Sequence, residues 1–87
     1  MKIIIIGSSS KGNSYVLQSD SGETLLIEAG IPLKEVKRAI GYKTSKVVGC
    51  IISHVHSDHA KYIPEYLKAG ISVSSNDEVA EKYPGVD

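Results

Sequence analysis

The sequence predicts an α/β (α+β) fold, a mixed β-sheet with helices on one face, and three observations carry that prediction. β-Branched or apolar runs at Lys2–Ile6 and Val47–Ile52 read as strands. Apolar residues recur at helical spacing in two other segments, Leu33, Val36, Ala39 and Ile40 in one and Tyr62, Ile63, Tyr66 and Leu67 in the other. After an opening hairpin, helices alternate with strands, the order of a sheet covered by a helical layer.

Taken in order, Lys2 to Ile6 is expected to be a buried strand that stops at Gly7. Gly7 to Asn13 follows as a tight loop of Gly, Ser and Asn, residues that tolerate positive φ or bond their own backbone. This loop has two readings, a plain connection or an anion cradle in which Lys11, Ser8, Ser9, Ser10 and backbone amides hold a phosphate. It is not a P-loop, because its glycine spacing and the absence of a following helix are both wrong. Ser14–Gln18 and Thr24–Glu28 complete the hairpin around the turn residues Asp20-Ser21-Gly22-Glu23. Ala29-Gly30-Ile31 breaks the strand, and Pro32 opens a helix whose Lys34, Glu35, Lys37 and Arg38 turn outward before Gly41 stops it. Val47 to Ile52 forms the next strand. Ala60 to Ala69 reads as a helix that begins late or kinks at Pro64. Ile71–Ser74 is a short strand, Asn76 caps a last helix reaching Tyr83, and Asp77 sits in its first turn. The five tyrosines are expected at the core edge or surface.

Composition narrows the function classes. At 87 residues the chain is one domain at most, and 41% apolar content argues against disorder. Ten basic residues balance ten acidic ones, so no net field draws nucleic acid or anionic membrane non-specifically, although a local patch can still act. Cys50 stands alone and cannot form an intrachain disulfide; its place in an apolar strand makes it a small core filler and suits a reducing, cytoplasmic setting. The Ile3–Ile6 run is far too short to span a membrane.

Ser53-His54-Val55-His56-Ser57-Asp58-His59 carries the chemistry. All three histidines of the chain fall in it, directly after a strand. Imidazole nitrogens with a carboxylate suit zinc, manganese or iron, and the lack of thiolates argues against a closed structural zinc site. His54 and His56 are two apart, so an extended chain points them the same way, while Asp58 and His59 fall on the turn into a helix and can face a second ion. Two such ions can share a hydroxide. The alternatives are a solvated histidine loop with Asp58 as a helix cap.

This motif resembles that of the metallo-β-lactamase-fold metal-dependent hydrolases. Gly7-Ser8-Ser9-Ser10-Lys11-Gly12-Asn13-Ser14 and Leu25-Leu26-Ile27-Glu28-Ala29-Gly30 are similar to the opening of a bacterial and phage branch that includes DNA exonuclease-like members. The resemblance runs over residues 1–87 and implies a single partial domain, the N-terminal half of an αββα sandwich. It implies metal ligation by His54 and His56 at one ion and by Asp58 and His59 at another, with Asp58 also orienting a bridging hydroxide. Two zinc ions serve a complete family site, with manganese or iron as alternatives. The implied reaction is phosphodiester or nucleic-acid hydrolysis. Glu28 replaces the aspartate usual in the family at a position that supports the metal site, and it either does so here or faces water as a strand-end carboxylate. The family's later histidines and bridging aspartate have no counterpart after His59, since Asp77 and Asp87 lack a matching context. The expectations are therefore two: a metal-dependent hydrolase, or an inactive truncated fragment that folds and binds metal weakly or not at all. In either case half a sandwich leaves an apolar sheet face bare, which favours a homodimer through that face and no membrane partner.

Overall fold

A computed structural model describes residues 1–87 and assembles five strands into one sheet in the order β1 (Lys2–Ser9), β2 (Gly12–Gln18), β3 (Thr24–Ile27), β4 (Val47–Ile51), β5 (Val73–Ser74). β1, β2 and β3 are antiparallel neighbours, whereas β3–β4 and β4–β5 are parallel. The parallel steps need crossovers. They are supplied by α1 (Leu33–Ala39) and a 3₁₀ turn at Thr44–Lys46, then by α2 (Ser57–Ala60) and α3 (Ile63–Lys68); α4 (Asp77–Lys82) follows β5. The predicted mixed sheet with helices is what the chain forms.

Register divides the residues between two faces. Ile4, Val16, Leu26, Cys50 and Val73 pair across all five strands and point inward. They meet Val36 and Ile40 of the first crossover, Ile63 and Tyr66 of α3, and Val79 of α4 in one core. Burying each large side chain there contributes about 1.5–3 kcal/mol. The helices are four to seven residues long, too short to persist alone, so this packing holds them. The backbone N–H of Leu33, at the start of α1, donates to the Glu65 carboxylate 2.6 Å away, a cap borrowed from α3 because Pro32 has none to offer. Asn76 caps α4 by accepting from the Val79 N–H, and Asp77 lies in its first turn as expected.

Several expectations are corrected. β1 is an edge strand, not a buried one: Ile4 and Ile6 pack against the core, but Ile3 and Ile5 are 68% and 67% exposed. The Gly7–Asn13 loop is mostly ladder, with Ser8 opposite Asn13 and Ser9 opposite Gly12, which leaves only Ser10-Lys11 as the turn. Neither turn residue has positive φ, so the αR–αL nest needed for an anion cradle does not form. The helix expected over Ala60–Ala69 does begin late, as Pro64 suggests: α3 starts at Ile63, and Ala60 belongs to the separate short helix α2. The Tyr62 N–H donates to Ala29 O, which pulls the chain out of helix between α2 and α3, and Pro64 then falls in the first turn of α3 where its missing N–H costs nothing. Tyr66 is fully buried rather than at the core edge, and its hydroxyl donates to Ile31 O over 2.9 Å. No helix is long and apolar enough to cross a membrane.

Candidate metal centre

β3 and β4 run parallel and end side by side, Ile27 opposite Ile51, and the site is built where the two chains leave the sheet. The Glu28 N–H still donates to Ile51 O, 2.8 Å away, but its φ of 72° then turns the backbone through the left-handed region. That twist sends the carboxylate inward, where it is 4% exposed, so the water-facing reading of Glu28 fails. It accepts from the Ser53 N–H (2.7 Å), from the Ser53 hydroxyl (2.5 Å) and from His59 Nδ1. The burial of a carboxylate is offset here by three donors.

The histidine loop is fastened to the sheet by backbone bonds as well. The Ala29 N–H donates to His59 O, and the Gly30 N–H to Asn13 O. Asn13, at the start of β2, donates its side-chain amide to Asp58 O (3.1 Å), to Asp58 Oδ2 (3.3 Å) and to Ser9 O (3.1 Å), while its own Oδ1 accepts from the Tyr15 hydroxyl. Asn13 and Ser53 are site residues that the sequence reading passed over. Ser53 stood in view beside the motif, but nothing in the sequence marks a hairpin asparagine as the partner of a residue 45 positions later.

Of the four sequence-predicted ligands, the fold brings three together. His54 and His59 have ring centroids 4.7 Å apart, and Asp58 Oδ2 lies 3.5 Å from His59 Nε2. His56 occupies the N-cap position of α2 without capping it by its side chain; its exposed ring stacks 6.0 Å from that of His54. Asp58 is inside α2 and not at its cap, which removes the capping alternative.

Donor atoms of Glu28, His54 and His59 lie within 4.8 Å of one another. Three donors take up most of the acceptor positions of the Glu28 carboxylate, which suits it to orienting the histidines. Ser53 Oγ is 2.7 Å from His54 Nδ1, and Glu28 meets His59 Nδ1, which leaves Nε2 of each ring as the metal-binding nitrogen. Ligands about 2.1 Å from a tetrahedral ion stand roughly 3.4 Å apart. The Asp58–His59 separation matches that spacing, so this pair fits a shared metal ion.

Cys50 is excluded from that role. Burial first, and the Glu28 carboxylate second, push its thiol up to about 12. The folded protein should resist thiol reagents at pH 8 and react only as fast as it unfolds, which a colorimetric thiol assay with and without denaturant measures. The unfolded thiol ionises near 9.0, so this proton linkage stabilises fully below that pH and is lost as pH climbs from 9.0 toward about 12. A cavity of about 370 Å³ lined by Leu33, Lys37, Val47 and Ile71 sits at the opposite end of β4 from His54 and takes no part in the site.

The family model of the metallo-β-lactamase superfamily matches residues 9–83. No curated protein matches the chain. The matched stretch takes in the Glu28 strand end and the whole histidine loop, on a mixed sheet flanked by helices; the chain belongs to the metallo-β-lactamase superfamily, whose fold is that of metal-dependent hydrolases.

Proposed function

We propose that this domain serves metal-dependent hydrolysis of phosphodiesters, nucleic acid among them. The observation that carries the reading is that donor atoms of His54, His59 and Glu28 lie within 4.8 Å of one another, with Asp58 Oδ2 3.5 Å from His59 Nε2. In it, His54 and His56 hold one ion, Asp58 and His59 the second, and zinc is the first choice of metal. When bound, such ions supply Lewis acidity and lower the pKa of coordinated water toward neutrality. The chain's own residues do the positioning. Glu28 and Ser53 orient two imidazoles, and the Asn13 amide fixes the Asp58 carboxylate that would align the attacking water.

Protein purified without chelators or a histidine tag should carry one to two equivalents of zinc, manganese or iron by elemental mass spectrometry. It should also cleave an activated phosphodiester, and His59→Ala should lose both properties. No bound metal even after addition of excess ion would overturn this reading. A second reading, a folded but inactive chain that pairs with a second copy, is supported by the exposure of Ile3, Ile5, Val48 and Ile51. A concentration-dependent dimer without phosphodiesterase activity is its signature.

A further inference from the structure

We propose that Ser53 is a positioning residue that relays the Glu28 carboxylate to His54, so that one buried acid sets the tautomer of both histidines. The inference rests on the reading of His54 and His59 as metal ligands, but its test does not need a metal. Ser53 Oγ makes two short contacts, 2.5 Å to Glu28 Oε2 and 2.7 Å to His54 Nδ1, and carries one proton to share between them. A carboxylate has no proton to give and is the stronger acceptor, so the hydroxyl proton points to Glu28. If it pointed to His54 instead, two oxygen lone pairs would face each other at 2.5 Å. Ser53 Oγ must therefore accept from His54, and a proton is fixed on His54 Nδ1. The same carboxylate fixes a proton on His59 Nδ1 directly. Both rings then present an unprotonated Nε2, the form a metal ion requires.

The arrangement is held from below. The Ser53 N–H donates to the other Glu28 oxygen at 2.7 Å, so backbone and side chain of one residue grip the carboxylate together. His56 has no such partner, and its exposed ring is the internal control.

The test is the ring-nitrogen NMR spectrum of the metal-free protein at about pH 8.5, above the ordinary histidine range. Wild-type His54 and His59 should both be Nδ1–H tautomers, with His56 in the Nε2–H form that free imidazole favours. Ser53→Ala should return His54 to Nε2–H while His59 stays Nδ1–H, and Ser53→Thr, which keeps a hydroxyl, should restore the wild-type pattern. Zinc affinity of Ser53→Ala, read by chelator competition, should fall about 10- to 100-fold and recover in Ser53→Thr. An Nε2–H signal for His54 in the wild type overturns the relay, as does a His54 tautomer unchanged in Ser53→Ala. Should the alanine variant not fold, the wild-type spectrum decides alone. A wild-type protein that shows the tautomers but binds no zinc would sink the metal reading and leave the relay standing.

Discussion

Gly30→Ala should lose about 3 kcal/mol or more of stability and displace α2. A Cβ built at Gly30 falls 1.9 Å from Asp58 O and 2.6 Å from Asp58 C. Those are backbone atoms, and no rotamer change relieves them. The third neighbour, Asn13 N at 2.7 Å, is backbone too. The methyl group must therefore drive apart β2, the β3 exit and the histidine loop, the three segments that make the site. An 87-residue chain carries roughly 4–13 kcal/mol in total, so the loss is a large share of what exists. Gly41→Ala is the matched control: its Cβ meets nothing, but its φ is +65°, so only backbone strain of about 1–2 kcal/mol applies. Urea midpoints of the two variants separate steric exclusion from strain. Equal midpoints would refute the claim that close approach is what position 30 requires.

Glu28→Ala should cost about 2–4 kcal/mol, the scale of stranding donors that shared one charged acceptor. The loss strands the Ser53 N–H, the Ser53 hydroxyl and His59 Nδ1 without their acceptor. Glu28→Gln keeps the volume but replaces one acceptor oxygen by a donor, and its metal affinity should fall about 10- to 100-fold with a smaller loss of stability. Glu28→Asp sets two effects against each other. Aspartate tolerates the φ of 72° better than glutamate, yet its carboxylate reaches one methylene less far toward Ser53 and His59. Chelator competition beside urea denaturation reads both terms. Wild-type affinity in Glu28→Gln would show that the buried acid does not orient the ligands.

Much of the fold was legible because its signals are local. Leu33, Val36 and Ile40 spell a helical face within eight residues, Asn76 announces a helix, and the histidine motif is contiguous. What stayed hidden depended on other segments. Four isoleucines in a row conceal which of them face inward, since a strand's period of two cannot be read when both faces are apolar. The Gly7–Asn13 stretch has turn composition, but pairing with its own partner strand overrides it. The break at Tyr62 comes from a bond to Ala29, 33 positions earlier. Burial of Glu28 likewise depends on Ser53 and His59 arriving from the loop and helix that follow β4. The left-handed φ that permits it is nowhere signalled, because glutamate is a poor residue for that region.

The sheet's helix-free side carries a further consequence. Ile5, Tyr15, Ile27 and Ile51 form its last full apolar row, and the next residues along β3 and β4 are Glu28 and Ile52, which lead straight to Ser53 and His54. The greasy surface and the chemical centre thus share a border. A second layer laid on that surface would end at the same brink where His54 and His56 stand in solvent. Whatever shields the isoleucines would therefore stand beside the histidines as well.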